Sequence, residues 1–147
     1  MVVHMEKENC LETGAEAASL FCRMYINTKK ELPVRASHMG LLILTVKSET
    51  PVTPVDAARY FKVKKPMITA MVDSLTKNGY LEKQPSPTDK RSYLLTPTAK
   101  TVRMVEETYS EYFKVMETLY NGLGEQDYQE LIRLLTRANE LMAKGRE

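Results

Sequence analysis

The chain has 147 residues, of which 43% are apolar and 27% charged, with a formal net charge of +2. This composition is typical of one globular domain, and the longest apolar run, from Met39 to Val46, is too short to span a bilayer. Two cysteines and two widely separated histidines provide neither a disulfide framework nor a metal-ligand spacing, so we expect no metal and no cofactor. Residues 1–16 are rich in glutamate and lack the apolar stretch of a signal peptide, so we expect a cytoplasmic protein.

The first two predicted elements are helices. Residues 13–30 carry apolar side chains at helical spacing along one stripe, and Leu32-Pro33 ends this helix. A second helix is predicted from Ser37, as its N-cap, to about Ser48. Apolar residues nearly surround this second helix, so it should be the buried central helix.

The next two predicted helices form a helix-turn-helix. Thr53-Pro54-Val55-Asp56 is a helix start of the capping-box type, and that helix runs to about Phe61. Lys62-Val63-Lys64 is the turn, with Lys65 near the N-cap and Pro66 in the first turn of the following helix, which ends at Asn78-Gly79. The second helix of such a pair is the one that reaches DNA.

A hairpin and two more helices complete the chain. Tyr80 to Gln84 and Ser92 to Thr96 are predicted strands, joined by a tip that contains Pro85, Pro87, Asp89, Lys90 and Arg91. Thr98 is the predicted cap of a long helix to about Tyr120, residues 121–124 break the chain, and a last helix begins near Glu125. Apolar residues in this last helix follow a near-heptad pattern.

The predicted fold class is mainly α with a small antiparallel β wing, a winged helix-turn-helix flanked by dimerisation helices. We assign residues 35–97 to the winged helix-turn-helix and residues 1–34 and 98–147 to a helical dimerisation region, since the flanking helices carry more apolar surface than one small domain can cover. Charge is segregated in the same way. Residues 59–103 carry a net charge of +7 and the remainder −5, which indicates a polyanionic partner for the helix-turn-helix and wing.

The order of elements, the segment from Leu75 to Lys83 and the motif Pro87-Thr-Asp-Lys-Arg-Ser92 followed by Leu95-Thr-Pro-Thr98 resemble the MarR family of bacterial transcription regulators. The resemblance implies a ligand-responsive regulator, a repressor, that binds double-stranded operator DNA of palindromic sequence as a homodimer. It also implies that Arg91 enters the minor groove and that Asp89 holds this arginine in place. Ala70 stands where the family often has an arginine, so base readout should depend on Lys65, Pro66, Thr69 and DNA shape.

The predicted site residues fall into two groups. Those expected at the DNA are Lys62, Lys64, Lys65, Pro66, Thr69, Ala70, Ser74, Asp89, Lys90 and Arg91. The lysines should neutralise phosphates, whereas the weakly hydrated guanidinium of Arg91 is better suited to a narrow groove. The resemblance also implies a pocket for a small-molecule effector, for which Tyr25, His38 and Tyr109 are the candidate lining residues.

Three alternatives stay open at this point. Cys10 or Cys22 could make the protein a redox-sensing regulator of the same fold, although no neighbouring pattern indicates a lowered thiol pKa. The winged helix could also serve as a protein-interaction module. Catalysis is disfavoured, because nucleophile elbows, phosphate-binding glycine loops and His/Cys clusters are missing from the sequence.

Overall fold

The protein is described here from a computed structural model, which covers residues 2–27 and 32–145, with side chains from residue 6 to residue 25 in the first range. These residues form six helices and one two-stranded antiparallel sheet. The elements are α1 (Val2–Asn27), α2 (Ala36–Lys47), α3 (Pro54–Phe61), α4 (Lys65–Lys77), β1 (Leu81–Pro85), β2 (Tyr93–Pro97), α5 (Ala99–Leu123) and α6 (Glu125–Lys144). The predicted fold class is confirmed.

Helix α2 is the centre of the core, as its apolar circumference predicts. Its Met39, Leu41 and Leu42 are fully buried, and α5 packs along it. The buried apolar cluster combines residues from α2, the helix-turn-helix, both strands and the first half of α5: Met39, Leu41, Leu42, Val52, Ala57, Ile68, Val72, Leu75, Leu81, Leu95 and Val105. The winged helix-turn-helix and the start of α5 therefore share one core.

Both outer helices differ in extent from the prediction. Helix α1 begins at Val2 rather than at residue 13, because good helix formers predominate from Met5 to Glu12 and Gly14 alone does not interrupt the helix. Its predicted end at residue 30 lies outside the described residues. Helix α5 continues through Asn121 and Gly122, and the chain turns at Gly124 alone, where φ is +83° and ψ is 161°. This backbone region is accessible essentially to glycine only.

Two predicted helix caps also differ. Ser37 lies inside α2, whose N-cap is Arg35 without a side-chain hydrogen bond. Thr98 does occupy the N-cap position of α5, but its hydroxyl makes no capping bond. The Thr98 hydroxyl instead donates to the carbonyl of Gly79 at 2.8 Å, so a tertiary contact replaces the local one.

The wing is a regular hairpin with one additional backbone contact. Strands β1 and β2 pair from Leu81↔Pro97 to Pro85↔Tyr93, one residue later in each strand than predicted. The connection between α2 and α3 also pairs with strand β2. The N–H of Leu95 donates to the carbonyl of Val52 in this connection at 2.8 Å. The sequence predicts only a short connection here. The contact attaches the base of the wing to the helical core.

Within the described ranges, no helix combines the length and the apolar character that a bilayer-spanning segment requires.

Candidate nucleic-acid interface

The turn between α3 and α4 has the tight geometry that the sequence predicts. Thr53 and Asp56 form both bonds of the capping box at the start of α3, at 3.0 and 3.1 Å. At the end of α3, Lys62 adopts a left-handed conformation with φ of 54° and ψ of 44°. It is the one residue other than glycine with a positive φ in the described part of the chain. The turn therefore holds an exposed lysine where glycine or asparagine would be less strained.

The start of α4 presents an uncompensated positive charge. Lys64 is the N-cap, one residue earlier than the sequence indicates, and makes no side-chain capping bond. Its neighbours Lys65 and Pro66 are exposed, and the first turn contains no acidic residue. Lysines and unpaired backbone N–H groups at the positive end of a helix dipole form a site suited to a phosphate.

The remaining predicted residues of α4 differ in their exposure and in their location on the helix. Ala70 is exposed beside Pro66, and Thr69 is half-buried with its hydroxyl donated to the carbonyl of Lys65 at 3.1 Å. Ser74 is also half-buried but lines an open cavity that faces α2. The structure thus places Lys65, Pro66, Thr69 and Ala70 together at the start of α4, with Ser74 apart from them.

The tip of the wing is shaped by two short polar side chains. Asp89 accepts the backbone N–H of Arg91 at 2.9 Å, and the Oγ of Ser86 accepts the N–H of Asp89 at 3.2 Å. The guanidinium Nε of Arg91 is 3.8 Å from the same carboxylate, and the Arg91 side chain is 95% exposed. Asp89 therefore fixes the backbone that carries Arg91, and its ion pair with the guanidinium is loose.

An ion pair links α4, the second helix of the helix-turn-helix, to the wing. Lys83 in β1 donates from Nζ to the carboxylate of Asp73 in α4 at 3.0 Å, and the same Nζ lies 5.0 Å from the ring centroid of Tyr93. The hydrogen bond to Asp73 raises the pKa of Lys83 above its ordinary value. The pair fixes the wing against α4 on the exposed side of both elements.

The three residues predicted to line an effector pocket have different contacts in the described part of the chain. His38 lines the open cavity of about 330 Å³ between α2 and α4, with Arg35, Ser74 and Asn78 among its neighbours. Tyr109 lies under Nζ of Lys47, 4.4 Å from its ring centroid, at the opposite end of α2.

The ring of Tyr25 stacks on Tyr112, which is about one helical turn beyond Tyr109 on α5, with centroids 6.3 Å apart. Burial raises the pKa of both phenols. Neither Tyr25 nor Tyr109 lines the cavity beside His38, and a single pocket formed by the three residues stays a prediction.

Four further residues, which are not among the predicted site residues, lie on or support the surface formed by the turn, the start of α4 and the wing. Arg59 and Met67 are exposed on either side of the turn, and together with Lys62 and Lys64 they line a groove that reaches the end of α6. Lys83 and Ser86 position the wing. The position of Arg59 three residues before Lys62 could have indicated it from sequence, whereas the others depend on tertiary contacts.

Among the residues described, no three His, Cys, Asp or Glu side chains are grouped so that they could hold a metal ion.

A sequence model of the MarR family matches residues 32–92, the segment from before α2 to the tip of the wing. No curated protein sequence matches the chain. Three solved structures share the fold over most of their length.

A MarR protein from Peptoclostridium difficile has a TM-score of 0.69 and 24% identity over 91% of this chain and 86% of that one. Streptococcus pneumoniae FabT in complex with DNA has a TM-score of 0.74 and 18% identity, covering 90% and 96%. The PcaV regulator of Streptomyces coelicolor with its natural ligand has a TM-score of 0.70 and 19% identity, covering 86% and 91%. At these identities the structural likeness by itself shows the fold.

The fold, the exposed basic helix-turn-helix and wing, and the matched segment agree with one another. The segment from residue 32 to residue 92 matches the MarR family, and the chain as a whole has the winged helix-turn-helix fold of the MarR protein from Peptoclostridium difficile.

Proposed function

We propose that the protein is a homodimeric repressor that binds a palindromic operator, with one α4 helix in the major groove and one wing in the adjacent minor groove of each half-site. The observation that carries the proposal is the set of exposed cations on the turn, on the start of α4 and on the wing tip, which lie at Lys62, Lys64, Lys65, Lys90 and Arg91. We propose that such a dimer represses transcription by occupying promoter DNA. Because its target is the chromosome, we expect the protein to act in the cytoplasm.

The proposed contacts divide into phosphate neutralisation and base readout. Lys62, Lys64 and Lys90 neutralise phosphates and add affinity for any sequence. Lys65, Pro66, Thr69 and Ala70 face the base edges, with Ser74 at the margin of this face. Arg91 enters the minor groove, where its guanidinium gains most in narrow A·T-rich DNA, and Asp89 supports the backbone that carries it.

Exposed apolar surface supports the homodimer. The described residues of α1 and of the second half of α5, together with α6, leave large apolar side chains uncovered, among them Leu20, Phe113, Leu134, Leu135 and Met142. The chain exposes 11410 Å², whereas a compact monomer of this length exposes about 7,600 Å². The difference is several times the roughly 800 Å² that each partner contributes to a standard interface. Dimerisation through residues 1–34 and 98–147 would cover this surface.

The proposed effector site is the cavity between α2 and α4. PcaV, which shares the fold, was crystallised with its natural ligand, and here His38 and Arg35 face Ser74 and Asn78 of the recognition helix across about 330 Å³. A small molecule that prefers one angle between α2 and α4 would shift the separation of the two α4 helices, which must match grooves about 34 Å apart. Tyr25 and Tyr109 would contribute only if the partner subunit brings them to this cavity.

Selection of binding sites from a random DNA pool, followed by a salt series, tests the DNA-binding proposal. We expect a palindromic consensus, together with a steep loss of affinity for both operator and random DNA as salt concentration rises. If the purified protein has no affinity for DNA at low salt, the protein-interaction module becomes the better interpretation.

The effector part of the proposal has a separate test. Compounds that change operator affinity of the wild-type protein should have a reduced effect on His38→Ala, whose operator affinity without compound should be near that of wild type. Unchanged operator affinity across a broad panel of compounds would contradict a ligand response.

The redox alternative is constrained by α1. Cys10 and Cys22 are both exposed on this continuous helix and are twelve positions apart, or about 18 Å along its axis, which is too far for a disulfide within one chain. A response through a disulfide would therefore require a thiol from a partner chain or from a small molecule, whereas oxidation of one thiol to a sulfenic acid would not.

A further inference from the structure

Three consecutive backbone carbonyls at the end of the recognition helix accept hydrogen bonds from the first turn of α5. We call this group the latch. Its bonds run from Nζ of Lys100 to Asn78 at 2.8 Å, from Oγ1 of Thr98 to Gly79 at 2.8 Å, and from Oγ1 of Thr101 to Tyr80 at 2.6 Å. The latch joins the end of α4 to the start of the helix that leads to the dimerisation region.

The position of Lys100 is unfavourable for α5 itself. A lysine in the first turn lies near the positive end of that helix dipole, and α5 has no acidic residue there to offset it. Its ammonium lies instead at the negative end of α4, where Asn78 is the C-cap residue. There it binds a terminal carbonyl and lies 4.1 Å from the ring centroid of Tyr80. Lys100 therefore makes its favourable interactions with the end of α4 and not with α5, the helix that contains it.

The surrounding geometry leaves the latch little freedom. Gly79 has φ of +76°, a conformation that favours glycine at the middle carbonyl of the latch. Thr101 is fully buried, and its hydroxyl is also 3.2 Å from that of Thr98. A change in the angle between α4 and α5 would have to break several of these bonds together.

We infer that Lys100 is a positioning residue for DNA recognition, one that sets the angle of α4 relative to α5 and thereby the separation of the two recognition helices in the dimer. The inference rests on the proposed homodimer and its operator. Lys100 acts through α4 and contacts no DNA in this role. Its removal should widen the range of half-site spacings that the dimer accepts.

The test compares wild type with Lys100→Met, which keeps most of the side-chain length and removes the charge and the hydrogen bonds. Operators with the selected half-sites are made with the original spacing and with one base pair added or removed. Lys100→Met should weaken binding to the original spacing by about five-fold, the scale of one ordinary hydrogen bond at an exposed position. Binding to the altered spacings should weaken less.

Two control variants separate positioning from charge and from folding. Lys100→Arg retains a cation and donors and should restore the wild-type spacing preference. Arg103→Met removes one exposed positive charge from the same helix and should weaken all spacings equally. A lower melting temperature of Lys100→Met with equal losses at every spacing, or an unchanged spacing profile, would overturn the inference. Failure of the wild-type protein to bind any operator would instead contradict the proposed function.

Discussion

At the scale of single residues, Lys62 combines backbone strain with a proposed phosphate contact. Its left-handed conformation suits glycine, so Lys62→Gly should raise the free energy of unfolding by up to about 1 kcal/mol. The same change should weaken DNA binding and make the log-log salt slope less negative by about 0.9 per protomer. Thermal unfolding and salt-dependent binding measure the two effects.

The matched control for Lys62→Gly is Lys62→Gln, which removes the charge and keeps the strain. It should weaken DNA binding to a similar extent without any gain in stability. A stability gain with unchanged DNA binding for Lys62→Gly would show that the lysine has no contact with phosphate.

Arg91 is the second residue whose role can be measured directly. Arg91→Ala should cost about 1 to 3 kcal/mol of operator binding and relax the sequence preference at the outer operator positions. Lys90→Ala, its neighbour on the same exposed tip, should weaken operator and random DNA similarly. Binding isotherms on both DNAs check this difference. Equal losses on operator and random DNA for Arg91→Ala would mean that the guanidinium contacts only phosphate.

At the scale of elements, the capping box determines how α3 begins. Hydrogen bonds from the backbone N–H and side chain of Thr53 lower the pKa of Asp56 below its ordinary value. The stabilisation is therefore complete above the pKa of the unfolded chain, about 3.9, and is lost as the pH falls through the lower folded value.

Asp56→Ala should reduce the free energy of unfolding by about 0.5 to 1 kcal/mol at pH 7, since the side chain is about half exposed and solvent weakens its interactions. The difference between wild type and variant should shrink toward pH 3. Chemical unfolding at the two pH values measures it, and a difference that is independent of pH would show that the carboxylate charge does not contribute.

At the scale of the whole molecule, the proposed dimer depends on apolar residues that one chain leaves uncovered. Leu134→Glu combined with Leu135→Glu in α6 should shift the protein toward monomers, because charge is costly in an apolar interface. Sedimentation analysis should show the shift, and operator affinity should fall more than affinity for random DNA. Val55→Glu, on another exposed apolar residue, should leave the oligomeric state unchanged. A double variant that stays dimeric with full operator affinity would place the interface elsewhere.

Local sequence patterns were sufficient for most of the fold. Pro66 and Gly79 bounded the recognition helix to within about a residue, Thr53 and Asp56 marked the start of α3, and the apolar circumference of α2 identified the central helix. These features are local, since they depend on backbone preferences and on the spacing of apolar side chains along a few turns. The exposed lysines and Arg91 were predictable for the same reason, because a run of charge on amphipathic elements stays at the surface.

The tertiary structure alone decided how these elements are joined. The sequence marked Thr98 as a cap, but its hydroxyl binds Gly79, nineteen positions away. The same holds for Lys100 on Asn78, for Lys83 on Asp73 and for Val52 beside β2. Each of these is a hydrogen bond or ion pair between residues distant in sequence, and no periodicity along one element encodes its partner. The sequence by itself determined which surfaces are apolar or charged, whereas the relative placement of the recognition helix, wing and long helix came from contacts that only the folded chain contains.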